Sequence, residues 1–449
     1  MTEKLGTVLL VSTYEMGRQP FGLASPAAWL RAAGWHVVPV DLARQRLPED
    51  VIISAAIVAF HLPMHTATRL AAPVIAKVRR LNPSARVAAY GLYAPLNEAW
   101  LRSLGVDAIF GGEFEEELTT WVSSSSRQLV VSSSRIPRIH FLVPDRTGLP
   151  PLSRYATLQM PDGTRRTVGY TEATRGCKHL CRHCPIVPIY EGQFRVVSPD
   201  VVLADIAAQV SAGALHITFG DPDFFNGPTH AMRIVERLHA AHPSVSYDVT
   251  IKVEHLLAHR DLLAALAATG CAFVTSAVES IDDAVLARLE KGHTRAGFVE
   301  AVGACRAAGL TLVPTFVAFH PWLTPGGYCE LLDLIAALDL VDHVAPIQLA
   351  IRLLVPEGSR LLELDEMRGV IQGFDPKTLT HRWLHPDPAV DLLHADVSAI
   401  VGARLTADRQ AVFDEVSALA HDRAGLPRPE TRPVRARATV PYLNEPWYC

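Results

Sequence analysis

The sequence predicts an α/β protein: an open parallel sheet first, then a barrel-like succession of β–α units, then a helical end. Three observations lead there. From residue 7 to about 122, short apolar runs alternate with amphipathic stretches of helix length. After residue 184 the same alternation resumes, and from about residue 361 the strand pattern stops. Alternating β and α segments of this kind build parallel sheets.

In the first part, residues 7–12, 35–41, 52–62, 86–91 and 108–112 read as strands, and 26–33, 66–81 and 95–104 as crossover helices. Gly91 and the pair Gly111-Gly112 follow strands, where a ligand would approach the carboxyl ends of such a sheet. The serine runs 123–126 and 132–134 bracket a polar stretch suited to a surface connection. The expected division is therefore 1–122, a linker and wrap over 123–165, a barrel over 166–355 and a cap over 356–449.

In the barrel, residues 168–171, 215–219, 247–253, 273–278, 311–318 and 344–354 read as six strands. Between and after them, 199–212, 229–241, 261–269, 282–289, 296–308 and 326–338 read as helices, with Thr294 as the N-cap of 296–308. Parallel barrels gather their chemistry at the carboxyl ends of strands, so polar residues there are the site candidates. In the cap, 389–401 and 407–420 are expected helices, and His381, Trp383 and His385 form an aromatic, titratable group suited to surface packing.

Composition narrows the classes. With 449 residues, 49% hydrophobic and 20% charged, the chain has ample material for two or three cores. A net charge of −4 and no dense Lys/Arg block give no footprint for nucleic acid. The longest apolar runs fall short of the ~20 residues needed to span a bilayer, so no membrane partner is expected. Residues 5–11 lead into Thr13-Tyr14-Glu15 without a small-residue cleavage site, as a first strand rather than a signal peptide.

The chemistry concentrates in Thr174-Arg175-Gly176-Cys177-Lys178-His179-Leu180-Cys181-Arg182-His183-Cys184-Pro185, where three of the seven cysteines fall at C-x3-C-x2-C spacing. Thiolates are soft ligands suited to iron–sulfur clusters and zinc, and three from one loop can wrap a cubane and leave one iron open. A structural zinc knot with His179, His183 or a distant group as fourth ligand is the other reading, against which stands the absence of zinc's usual paired layout. An iron–sulfur protein needs a reducing compartment, so a cytoplasmic setting is expected, and Cys271, Cys305, Cys329 and Cys449 show no disulfide framework.

The triplet resembles the signature of the radical SAM superfamily, with His183 where an aromatic residue usually precedes the last cysteine. The resemblance implies a [4Fe-4S] cluster on Cys177, Cys181 and Cys184, whose open iron is chelated by the amino and carboxylate groups of S-adenosylmethionine (SAM). It further implies that Gly220, Asp221 and Asp223, after the second barrel strand, meet the methionyl amino group, and that Glu279 and Ser280, after the fourth, lie beside the ribose or carboxylate. Lys252 with Glu254 on the third strand, and Gln348 with Arg352 on the sixth, are further candidates, the last two equally able to satisfy each other. Lys291-Gly292-His293-Thr294 resembles a stretch common in cobalamin-type members.

An α/β unit ahead of the cysteines resembles the Rossmann-like cobalamin-binding domain of such enzymes, although the Asp-x-His-x-x-Gly motif is missing after the first strand. His61 and His65 are the imidazoles that would face the cofactor; a sheet that kept the fold and lost the ligand is the other reading. The end, Pro441-Tyr442-Leu443-Asn444-Glu445-Pro446-Trp447-Tyr448-Cys449, resembles a radical SAM subgroup named for a Cys-Cys-Ala-Glu-Pro tail in which the second cysteine can be selenocysteine. On that resemblance Cys449 is a candidate catalytic thiol: substrate anchor, hydrogen-atom donor or metal ligand.

The expected function is SAM cleavage with modification of an unactivated carbon of a small substrate, an electron donor such as flavodoxin or ferredoxin serving as partner. Methyl transfer is expected if cobalamin is bound, hydrogen abstraction or transfer of another SAM fragment if it is not. A cluster protein for electron transfer or metal sensing is the reading from a different class.

Overall fold

Two parallel sheets organise the chain in a computed structural model that describes residues 6–124, 130–131, 136–404, 408–428 and 439–444. The first holds β1 (Thr7–Ser12), β2 (His36–Asp41), β3 (Ile57–His61), β4 (Arg86–Tyr90), β5 (Ala108–Phe110) and β6 (Val130–Val131) in the order β2-β1-β3-β4-β5-β6. All its pairings are parallel. Alternate residues feed two apolar cores: Leu9, Val11, Val58 and Phe60 on one face, Val8, Leu10, Ile57 and Ala59 on the other. Burial on both faces explains why these strands read as continuous apolar runs rather than alternating ones. The order reverses between β1 and β3, which makes their carboxyl ends the switch point where doubly wound sheets take ligands.

The expected strand 52–62 divides into a helix, Glu49–Ser54, and β3, because Ala55 turns the chain back to extended geometry between two apolar runs. The expected helix 95–104 divides at Asn97 into Tyr93–Leu96 and Glu98–Ser103. Half of the first serine run and all of the second lie outside the described residues.

The second sheet holds β7 (Thr157–Gln159), β8 (Arg165–Thr171), β11 (His216–Phe219), β12 (Ser246–Thr250), β13 (Cys271–Glu279), β14 (Leu312–Phe316) and β17 (Tyr442–Leu443) in the order β14-β13-β12-β11-β8-β7-β17. From β8 to β14 it is parallel; β7 and β17 add antiparallel strands at one edge. Between β8 and β11 lies a small antiparallel pair, β9 (Thr174–Gly176) with β10 (Phe194–Val196). At the sixth barrel position the expected strand 344–354 is reduced to a parallel bridge between Phe319 and Arg352. Pro346 lacks the N–H a ladder needs, and Pro346–Leu349 coil into a 3₁₀ turn instead.

In the cap, helices Pro388–Ala403 and Arg409–Ala424 close over the barrel, their Val397, Val401, Val412 and Val416 joining its core. A hairpin precedes them, β15 (Ile371–Asp375) against β16 (Thr380–Trp383), where the sequence reading ended the strands at 361. No helix among the described residues is long and apolar enough to cross a membrane.

The segment after residue 136 straps the two sheets together. Arg146 donates to both carboxylate oxygens of Asp205 at 3.0 and 2.9 Å, to Gln19 Oε1 at 3.0 Å and to the carbonyl of Tyr170 at 2.7 Å. Asp205 is 1% exposed, so removing the guanidinium strands a buried carboxylate. Arg146→Met is expected to lower stability by about 3–5 kcal/mol in urea unfolding; a loss under about 1 kcal/mol would contradict this role of the strap.

Candidate active site at the cysteine loop

The chain leaves β8 at Thr171 and enters the cysteine loop through β9. Asp221, just after β11, fixes that entry: its Oδ2 accepts from Ala173 N at 2.9 Å and its Oδ1 from Thr174 Oγ1 at 2.6 Å. Burial raises the Asp221 carboxyl to about 6 against these hydrogen bonds. Asn226 Oδ1 accepts from Lys178 N at 3.3 Å and lies 3.7 Å from Cys177 Sγ. Gly176 has φ +75°, and a Cβ there would stand 2.2 Å from the Tyr190 ring, so the turn into Cys177 requires glycine. Downstream, Arg182 N donates to Leu289 O at 3.0 Å and Arg360 Nη1 to Leu180 O at 2.7 Å.

The loop is also tied to the first sheet. Arg175 donates to Glu113 at 3.0 Å, Glu115 at 2.7 Å and Glu172 at 2.8 Å, and the Tyr190 hydroxyl reaches Glu113 at 3.0 Å. Burial outweighs Arg175 and lifts Glu113 to about 7.

Cys177 and Cys181 are buried and Cys184 half-buried, none in a disulfide. Burial raises the Cys177 thiol and pushes Cys184 up to about 12, so both stay protonated until a metal displaces the protons.

Polar groups converge on this loop from three strand ends. Glu279, the last residue of β13, takes φ +68°, a costly geometry for a non-glycine residue that aims its carboxylate at His183 Nε2 (3.0 Å) and Lys291 Nζ (3.3 Å). Burial would raise its pKa, yet Lys291 and His183 outweigh burial and hold it at about 2. Asp223 follows β11 and meets His255 (Nδ1 to Oδ2, 2.6 Å) and His179 (Nε2 to Oδ2, 3.7 Å). Lys252 pairs with Glu254 at 3.3 Å. Burial, with Lys291 and Lys252, lowers His293 to about 4, and burial with Lys252 does the same to His179.

Several of these groups lack hydrogen bonds although buried: His183 Nδ1 and both nitrogens of His293 have none, and Asp223 Oδ2 and His255 Nδ1 have only ion-pair contacts, 2.6 Å with each other. Buried polar atoms are nearly always satisfied, so a cluster of exceptions beside three thiols marks a place shaped for a polar ligand.

The other candidates sit elsewhere or serve differently. A Cβ on Gly220 would lie 1.7 Å from Tyr170 Oη, so its smallness serves the Tyr170 ring. Lys252 is off the strand, at the N-terminal boundary of helix Val253–Ala258, which its side chain does not cap. Ser280 Oγ accepts from Asp282 N at 3.1 Å, and Asp282 rather than Glu279 caps the following helix. Gln348 and Arg352 do not pair: Gln348 accepts from Phe316 N at 3.0 Å, while Arg352 bonds Asp391 at 2.7 Å and stacks 3.6 Å from the Trp383 ring. Thr294 caps its helix through Gly297 N. Cys449 lies outside the described residues. Asn226, His255, Lys291 and His293 were not singled out as site residues, although Lys291 and His293 lie in a conspicuous motif, and His179 was named only as a fourth ligand to zinc.

Residues 171–335 match the Radical SAM superfamily. The segment is a radical SAM domain. Proteins of this superfamily are enzymes that use a [4Fe-4S] cluster and SAM, and the triplet with its unpartnered neighbours fits both. A curated relative, the tRNA-2-methylthio-N(6)-dimethylallyladenosine synthase of Desulfosudis oleivorans (strain DSM 6200 / JCM 39069 / Hxd3), is 27% identical over 195 residues, 40% of each chain. The match thus spans about two fifths of that relative's length. Among solved structures, the cobalamin-dependent SAM radical enzyme OxsB with aqua-cobalamin bound has a TM-score of 0.69 at 14% identity, covering 89% of this chain and 67% of that one. The radical SAM methyltransferase TsrM from Kitasatospora setae, with tryptophan and a SAM analogue, has a TM-score of 0.59 at 19% identity, covering 80% and 76%. At these identities the likeness is one of fold, and it covers the N-terminal sheet and the radical SAM domain together.

Because Glu279 is held at about 2, below its ordinary 4.5, its ion pair contributes in full above pH 4.5 and fades as pH falls toward 2. In the metal-free chain, the stability gap between wild type and Glu279→Gln, measured by urea unfolding, is expected to narrow over that range; a gap constant from pH 6 to pH 2.5 would contradict it.

Proposed function

We propose that the protein cleaves SAM at a [4Fe-4S] cluster held by Cys177, Cys181 and Cys184, and uses the product to modify an unactivated carbon of a small substrate. The observation that carries this reading is the set of buried polar atoms around the three thiols that make no hydrogen bond, His183 Nδ1 and both nitrogens of His293 among them. Cluster and SAM together supply a carbon-centred radical, electrons coming from a donor of the flavodoxin or ferredoxin kind.

The chain's own residues bind and orient. Asp221 and Asn226 hold the loop, so the thiols need little rearrangement to bind metal. Glu279 is a fixed negative charge suited to a hydroxyl or ammonium group, and Ser280, whose oxygen already accepts from Asp282 N, keeps its hydroxyl proton to donate. Lys252 offers an ammonium suited to a carboxylate. At the ends of β13 and β14 a cavity of about 370 Å³ gives room for a small substrate. His320 Nδ1 and Trp322 Nε1, both buried without partners, line it as polar anchors.

A second reading, methyl transfer through cobalamin, is favoured by the first sheet, whose carboxyl edge faces the cysteine loop across the Arg175 network. His61, at the end of β3, donates Nδ1–H to Glu15 Oε1 at 2.5 Å, the support that a metal-ligating imidazole takes behind its Nε2. His65 is committed to the carbonyl of Thr378. A corrinoid would supply a transferable methyl group there.

Two measurements test these readings. Anaerobically reconstituted protein with SAM and a strong reductant is expected to release 5′-deoxyadenosine or methylthioadenosine, and Cys181→Ala to release neither; wild type yielding neither would leave a cluster protein of another class. Protein incubated with hydroxocobalamin and desalted is expected to keep about one corrinoid per chain in its visible spectrum, and a corrin-free chain discards the methyl-transfer reading.

A further inference from the structure

The cavity at the ends of β13 and β14 has a charged mouth and an uncharged floor, and the two select for different chemical groups. Glu279, Asp282, Asp283 and Glu330 line it against one guanidinium, Arg295. Glu279 is balanced by Lys291, which leaves three exposed acids to the single arginine. An excess of carboxylates in a concave mouth concentrates cations and repels anions. Asp282 caps its helix through Oδ1 alone, accepting from Ala284 N at 2.8 Å and Val285 N at 3.3 Å, so its other oxygen has no part in the cap.

The floor is built from ring nitrogens. His320 is 5% exposed, and its Nδ1 makes no hydrogen bond; Trp322 Nε1, which can only donate, makes none either. The two rings lie 5.9 Å apart and are tilted by 38°. Burial pushes His320 down to about 4, so this imidazole is uncharged near neutral pH. His385 lies close enough for its charge to act on His320. Its Nδ1 accepts from Asp387 N at 2.9 Å, while the Asp387 carbonyl, 3.0 Å from the same nitrogen, already accepts from Val390 N at 3.1 Å. The ring proton of His385 is therefore on Nε2, which is buried and also without a partner. The Arg288 guanidinium above the Trp322 ring is bound to Glu366 at 3.2 Å. Buried donors without acceptors are costly, and with no free cation at hand the group that suits them is a neutral carbonyl oxygen rather than a carboxylate.

We propose that the substrate is a small cationic amine that also carries a neutral carbonyl, as in an amide or ester. Its ammonium lies beside Asp282 at the mouth, and its carbonyl oxygen accepts from Trp322 Nε1 beside His320 at the floor. The proposal rests on the reading of this cavity as the substrate's place and adds the class of substrate, with Asp282 and Trp322 as the residues that set specificity.

The test titrates reconstituted holoenzyme, anaerobically and by calorimetry, with four compounds of one skeleton: leucinamide, leucine, N-acetylleucinamide and isopentylamine. Leucinamide is expected to bind at least fivefold tighter than leucine, which adds an anion, than N-acetylleucinamide, which loses the cation, and than isopentylamine, which lacks the carbonyl. Asp282→Asn, which keeps an oxygen for the helix cap, is expected to bind leucinamide and N-acetylleucinamide alike. Trp322→Phe, which keeps an aromatic ring, is expected to bind leucinamide and isopentylamine alike. Should either variant fail to fold, the wild-type order decides by itself. Absence of binding to wild type, any other wild-type order, or folded variants that keep the wild-type order overturns the proposal. SAM cleavage by the same preparation reports separately on the radical chemistry: cleavage with the wrong binding order removes the substrate class and leaves that chemistry intact, and the expected order without cleavage does the reverse.

Discussion

The grip of the Asp221 carboxylate on the entry to the cysteine loop is what the rest of the site depends on. A loop that gathers three thiols carries many backbone groups and little apolar surface, and alone it would not hold one shape. Asp221 ties it at Ala173 and Thr174 to the end of β11, while Arg360, donating to the Leu180 carbonyl, and the Leu289 carbonyl, accepting from Arg182 N, fix its other side. The pKa of about 6 shows burial outweighing the hydrogen bonds, so the residue spends folding energy on position rather than stability.

Charge around the thiols follows the same logic. Lys291 and Lys252 lie near the cysteines with Glu279 and Glu254 as counter-charges, so ammonium groups face a site suited to an anionic occupant such as three thiolates on a cluster. Arg175 carries the arrangement across to Glu113 and Glu115 of the first sheet, so the two sheets share a buried ionic joint two residues ahead of Cys177.

Much of this was legible in the residues, and the exceptions have physical causes. Strands buried on both faces announce themselves as apolar runs, so β1, β4 and β13 fall within a few residues of expectation. The same signal misleads where an apolar run crosses an element boundary: Ile52 belongs to a helix, Lys252 leaves its strand, and 344–354 coils at Pro346. The hairpin Ile371–Trp383 was hidden because its first strand is mostly exposed and carries glycine and aspartate. In the site, the spacing of the cysteines already put three thiols on one loop. Which of two nearby aspartates braces the loop and which faces the histidines was not legible, since Asp221 and Asp223 differ only in the direction their turn gives them. His255 and His293 reach the site from separate strand ends, a proximity that only the barrel creates.

The account rests on an iron cubane with one iron left to SAM. Mössbauer spectroscopy of the anaerobically reconstituted protein, with and without SAM, tests it most directly. About four irons per chain, one changing its isomer shift when SAM is added, is the predicted result. A spectrum that SAM leaves unaltered, or iron well short of a cubane, would contradict it.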